Sequence, residues 1–122
     1  AAVETLLVEG AGGLAVPLTP QSTVLDLLER TRWPVVLVTS ARLGGINHTL
    51  LSLEALAGRG APLAGLVFNE QPAADDCMRD HALETFRRGL RRFGFPELIT
   101  TMPALNEDGH GVVSCDFASL FR

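Results

Sequence analysis

Short, uninterrupted apolar runs alternate with segments of helical length, and this alternation restricts the fold more than any other feature of the chain. Pro34–Thr39 (PVVLVT) and Leu63–Phe68 (LAGLVF) carry no charge. Thr5–Val8 and Leu98–Thr101 repeat the pattern in shorter form. Strands apolar on both faces must be covered on both faces, so four buried strands of a parallel α/β sheet flanked by helices are expected. Thr23–Arg30 reads as a helix, with Ser22 or Thr23 as N-cap and Asp26 completing a T-x-x-D start. Its apolar residues Val24, Leu27 and Leu28 share one face. Asn47 to about Gly58 reads as a second helix, with Leu50, Leu51, Leu53 and Leu56 too apolar all round for a solvent face. Asp75–Phe93 reads as a third, acidic at its start and arginine-rich at its end, as the helix dipole favours. The tail after Pro103 reads as irregular.

The 122 residues allow at most one small domain, 1–122, and 47% hydrophobic content supplies a core. A net charge of −4 argues against a nucleic-acid partner. No basic stretch precedes the first apolar run, and no run is long enough to span a bilayer, so a cytoplasmic protein without membrane contact is expected. Cys77 and Cys115 fit no metal-ligand spacing, which suits a reducing compartment. The chain begins at Ala1, just before an expected strand, as a fragment or processed piece would.

The segment Leu6–Pro17 (LLVEGAGGLAVP) carries the first chemical signal. An apolar run ends in Glu9 and passes directly into Gly10, Ala11, Gly12 and Gly13. A backbone with almost no side chains can bring N–H groups close to phosphate, while the carboxylate holds a metal ion. All ten cationic residues are arginine, and no G-x-x-x-x-G-K-[ST] loop is present. The segment is therefore half of a phosphate site. Ligands of parallel α/β sheets bind beyond the carboxyl ends of the strands. Four loops fall there in this reading: Glu9–Gly13, Ser40–Gly45, Asn69–Ala73 and Pro103–His110.

In order and spacing, VEGAGGLAVPLTP, PVVLVTSARLGGINHTLLSLEAL, LAGLVFNE and MPALNE resemble dethiobiotin synthetase, over Thr5 to about Leu105. The resemblance implies a P-loop NTPase-like fold whose N-terminal P-loop strand is missing, so that the chain is the C-terminal half of the synthetase. It implies an ATP-dependent cyclo-ligase of biotin biosynthesis that acts on 7,8-diaminopelargonate and CO2. A carbamate forms and is phosphorylated, and the second amine then displaces phosphate to close the ureido ring. Magnesium assists, and the family is a homodimer with substrate at the subunit interface. The catalytic lysines belong to the missing half, present in cis or as a separate chain, so this chain alone is expected to be inactive. A non-catalytic nucleotide-sensing or interaction module of the same fold is the alternative.

The resemblance also assigns residues. Glu9 becomes the magnesium ligand, with Gly10, Ala11 and Gly12 against the phosphates. Read alone, Glu9 is more simply a solvated residue before a glycine turn. Leu43, Gly44, Gly45 and Asn47 become the segment that reaches the neighbour's substrate carboxylate, the two glycines allowing close backbone approach. Read alone, they form an ordinary strand–helix loop, and His48 is a structural hydrogen-bonder. Asn69 and Glu70, with Pro103, Ala104 and Leu105, become the adenine pocket. An amide accepts from and donates to a base edge at once, although Asn is also a common turn former. Glu107 and Asp108 are both candidates for a carboxylate beyond that wall. Asp75 and Asp76 are helix-start charges, and Arg87, Arg88, Arg91 and Arg92 a solvated helix end.

Overall fold

A computed structural model describes residues 4–71, 75–104 and 115–121. Its centre is a three-stranded parallel sheet in the order β3 (Val35–Thr39), β4 (Leu63–Asn69), β5 (Ile99–Met102). Helix α2 (Gly45–Gly58) connects the first pair and α3 (Asp76–Phe93) the second. Before the sheet come a short antiparallel ribbon, β1 (Pro17–Thr19) with β2 (Ser22–Thr23), and helix α1 (Val24–Thr31). From α1 to β5 the observed elements follow the expected order, with ends shifted by one or two residues.

Local chemistry sets those ends. Thr23 is the N-cap of α1. Its hydroxyl accepts from the Asp26 N–H, and the Asp26 carboxylate accepts in return from the Thr23 N–H at 2.7 Å. This is the capping box expected from T-x-x-D. Asp75 caps α3 by accepting from the Cys77 N–H at 3.1 Å, and Gly94 ends it in the left-handed conformation (φ 76°). The ribbon was not foreseen. It turns at Pro20–Gln21, closed by a 2.7 Å bond between the Thr19 and Ser22 hydroxyls.

The core lies between the sheet and helices α2 and α3. Leu53 and Leu56 of α2, Leu66 and Phe68 of β4, and Phe86 and Leu90 of α3 are fully buried. The Phe68 and Phe86 rings sit 6.1 Å apart, tilted by 54°. Helices α2 and α3 approach closely at Gly89, where a Cβ would lie 2.6 Å from Leu50 Cδ2. Helix α1 is tied to the end of α2, since Arg59 pairs with Asp26 at 2.9 Å and with Glu29. The tail is not irregular throughout. Ala118–Phe121 form a 3₁₀ turn that buries Leu120 against Gly65. Gly65 lies on the sheet face opposite Leu66, so this turn covers the back of the sheet.

A further expectation fails. Thr5–Val8 is not a buried strand: it has no strand pairing, and Leu6, Leu7 and Val8 are 74%, 83% and 63% exposed. A strand is defined by hydrogen bonds to a neighbour, and among the described residues none reaches this segment. Its apolar composition is that of a strand, but no strand pairs with it among the described residues.

Candidate functional site

The carboxyl ends of β3, β4 and β5 lie side by side. Parallel register places Thr39 opposite Phe68 and Asn69 opposite Met102. The Glu70 N–H donates to the Met102 carbonyl at 2.9 Å, extending that pairing one step past the strand. Four of the residues assigned to the base pocket, Asn69, Glu70, Pro103 and Ala104, are thereby brought together. Leu105 lies outside the described residues, as do Glu107 and Asp108. The Glu70 carboxylate is held from the other side by Arg79 at 3.4 Å, within a cluster that includes Asp76 and Asp80.

The Ser40–Gly45 loop is pinned at both ends. Thr39 and Thr49 are buried, their hydroxyls 2.5 Å apart, and the Thr49 hydroxyl donates to the Gly45 carbonyl at 2.7 Å. Because that proton is committed to Gly45, Thr39 is the donor within the pair. The Gly45 N–H donates to the Arg42 carbonyl at 2.7 Å. Gly45 is required by the loop itself, since a Cβ there would lie 2.2 Å from the Ser40 carbonyl oxygen. Gly44 has φ 82°, the left-handed conformation that glycine adopts without strain. Leu43 projects fully into solvent. Asn47 faces another way, lining a 130 Å³ cavity with Leu50, Leu51, Glu54, Arg92 and Phe93. His48 is exposed on the first turn of α2.

The glycine segment is the least integrated part. Glu9, Gly10, Ala11 and Gly12 are exposed and follow no strand, so the first of the four expected strand-end loops does not stand at a strand end. The segment is anchored further on. The Leu25 N–H donates to the Leu14 carbonyl at 2.9 Å, and the Val24 N–H to the Val16 carbonyl at 3.0 Å. Gly12 has φ 87° beside Val16. The chain is thus led past the N-terminus of α1, and Glu9 is left in solvent. Among the described residues no group of three or more His, Cys, Asp and Glu side chains is placed to hold a metal ion.

Arg42 and Gln71 were not singled out from the sequence. The Arg42 guanidinium donates twice to Gln71 Oε1, at 2.7 and 3.1 Å, joining the loop after β3 to the loop after β4. Their separation of 29 residues gives no local signal. Only the β3–β4 register brings them together.

A family model described as an AAA domain matches residues 1–107. Among curated proteins, the ATP-dependent dethiobiotin synthetase of Chlorobaculum tepidum is 45% identical over 94 residues, which are 77% of this chain and 39% of that protein. The ATP-dependent dethiobiotin synthetase of Lawsonia intracellularis is 49% identical over 72 residues, 59% of this chain and 36% of that protein. The biotin biosynthesis bifunctional protein of Bordetella avium is 41% identical over 101 residues, 83% of this chain and 20% of that protein. The chain spans about two-fifths or less of the length of these relatives.

Proposed function

The chain belongs to the AAA domain family, and on that premise we propose that it is the C-terminal part, a single partial α/β domain, of an ATP-dependent cyclo-ligase of biotin synthesis. The observation that carries the reading is the match to a synthetase at 45% identity over 94 residues, 77% of this chain. The sheet with its flanking helices suits a P-loop NTPase-like fold.

In this reading Asn69, Glu70, Pro103 and Ala104 form one wall of the adenine pocket, as their juxtaposition across β4 and β5 supports. Glu9 is a hard oxygen donor at a flexible glycine backbone. Magnesium bound to a nucleotide takes one or two carboxylates and completes its shell with phosphate and water, so a single exposed Glu9 fits that role. The ion would offset charge on the transferring phosphoryl oxygens. The residues of this chain position and orient: the base lies against β4 and β5, and Gly10–Gly12 leave room for phosphate. Leu43, Gly44, Gly45 and Asn47 serve the diaminopelargonate carboxylate of a neighbouring subunit in a homodimer. The full exposure of Leu43 and the half-exposed Leu51 support an interface there. The lysines and P-loop of the other portion complete the site, and this chain alone is inactive. Among the described residues no helix is long and apolar enough to cross a membrane. A cytoplasmic location accords with that and is part of the proposal.

The test is a chimera in which this chain replaces the matched segment of the Chlorobaculum tepidum synthetase. It should form dethiobiotin from diaminopelargonate, bicarbonate and MgATP. Glu9→Gln in the chimera should keep the fold and lower kcat by roughly 100-fold or more. A chimera that folds and binds ATP but closes no ring would instead support a non-catalytic nucleotide-sensing or interaction module.

A further inference from the structure

Most of the arginines whose partners are defined meet carboxylates. Arg59 pairs with Asp26 and Glu29, Arg88 with Glu84, and Arg91 with Glu84 and Glu97. Near the carboxyl ends of the strands, Arg79 is neutralised by Glu70. Arg42, in the loop after β3, meets a neutral amide instead. Its Nη2 and Nε both donate to Gln71 Oε1, at 2.7 and 3.1 Å, so the guanidinium is oriented without losing its charge. A guanidinium carries five N–H groups in a rigid plane. Gln71 takes the side edge, made of Nε and Nη2. The end edge, made of Nη1 and the second Nη2 hydrogen, has no partner among the described residues. Two parallel N–H groups on that edge match two oxygens of a carboxylate or phosphate. The backbone fixes both ends of the pair. The Arg42 carbonyl accepts from the Gly45 N–H at 2.7 Å, and Gln71 follows Glu70, whose N–H is bonded to the Met102 carbonyl. Arg42 is exposed, and the Thr49 bond to Gly45 closes its loop independently, so the fold does not depend on the guanidinium.

We propose that Arg42, oriented by Gln71, is an oxyanion-binding residue of the strand-end site, its end edge taking two oxygens of one anionic group. A carboxylate at position 71 would orient the guanidinium equally well but cancel its charge. Glutamine orients it and leaves the charge for a ligand. An isolated exposed ion pair contributes little, because ordering a long side chain offsets the attraction. Here that ordering is done before the ligand arrives, so more of the attraction is kept as affinity. Lysine would supply the charge as a point, without the fork. Two groups in the proposed reaction have the required chemistry, the nucleotide phosphates and the diaminopelargonate carboxylate. The choice of these two sources rests on the functional reading above, but the oriented fork does not.

The experiment measures binding by calorimetry in the full-length chimera, with four probes: MgADP, adenosine, diaminopelargonate and diaminopelargonate methyl ester. Arg42→Met keeps the apolar stem and removes the fork. It should weaken one charged probe by roughly tenfold or more and leave its uncharged counterpart unchanged. A loss confined to MgADP assigns the phosphates, and a loss confined to diaminopelargonate assigns the carboxylate. Arg42→Lys should recover only part of the loss. Gln71→Met, which frees the guanidinium, should weaken the same probe by about threefold. Unchanged binding of both charged probes in Arg42→Met would overturn the proposal. Equal losses for a charged probe and its uncharged counterpart would also overturn it, leaving Arg42 a support of the loop. Full recovery by Arg42→Lys, or no effect of Gln71→Met, would remove the oriented fork and overturn it as well. If Arg42→Met does not fold, the Gln71→Met comparison decides. A chimera that shows the Arg42 dependence and closes no ring would leave the oxyanion site standing and count against the proposed activity. A chimera that closes the ring with unaltered binding in Arg42→Met would do the reverse.

Discussion

Replacing Gly45 by alanine gives the sharpest test of the loop after β3, because two effects oppose each other and geometry fixes the sign. Gly→Ala at a helical position ordinarily stabilises by about 0.5–1 kcal/mol. At Gly45 the new Cβ would meet the Ser40 carbonyl oxygen at 2.2 Å, about 1 Å closer than such atoms approach. The obstacle is backbone, so the loop or the first turn of α2 must move by about that amount. Overpacking of this kind costs about 1–3 kcal/mol. The movement also strains the Thr49 hydroxyl bond to the Gly45 carbonyl, which contributes about 0.5–1.5 kcal/mol and supports the buried Thr39–Thr49 pair. The net expectation is a loss of about 1–3 kcal/mol, read by urea unfolding as a lower midpoint at unchanged slope. Gly44→Ala is the internal control. Its Cβ would stand 3.6 Å from the His48 ring, so only left-handed strain of about 1–2 kcal/mol applies, and Gly44→Asn should recover part of it. A Gly45→Ala chain as stable as the parent, or more so, would refute the closure argument. The loss of function of any larger side chain at Gly45 would then be free to report substrate contact.

Asp26 gives a pH signature. The Thr23 N–H and hydroxyl, and then Arg59, hold its carboxyl at about 2 against an ordinary 3.8. The folded value is the lower one, so its stabilisation is present above about pH 4 and is lost as pH falls toward 2. Chemical unfolding across that window should show a steeper loss for the parent than for Asp26→Asn, and parallel curves would contradict the capping box. Leu120→Ala should lower stability by about 2 kcal/mol or more, because Leu120 is buried against Gly65 and leaves a void on the back of the sheet. A change under about 0.5 kcal/mol would show the 3₁₀ turn to be loosely held. In the chimera, Asn69→Ala should weaken ATP binding by about 1–3 kcal/mol and reduce the preference over GTP, if the amide pairs with a buried base edge. An unchanged ATP-to-GTP ratio of kcat/KM would leave Asn69 a turn former only.

The sequence by itself determined the elements whose causes are local. T-x-x-D set the start of α1, Asp75 and Gly94 bracketed α3, and the unbroken apolar runs at Pro34–Thr39 and Leu63–Phe68 became parallel strands, because caps and periodicity act within a few residues. The same local evidence misled at Thr5–Val8, where apolar composition supplies one half of a strand and a hydrogen-bonding neighbour must supply the other. It was silent on Arg42 and Gln71, on the Thr39–Thr49 lock and on Leu120 folding back to Gly65, since each joins residues distant in the chain or elements whose facing depends on register. Asn69 and Pro103 were assigned to one pocket by the resemblance alone, and no local signal joins them. Only the tertiary structure put them beside one another, because the β4–β5 register is fixed by which faces bury Leu66 and Phe68 against α2 and α3, and a slip of one residue would turn those side chains to the other face.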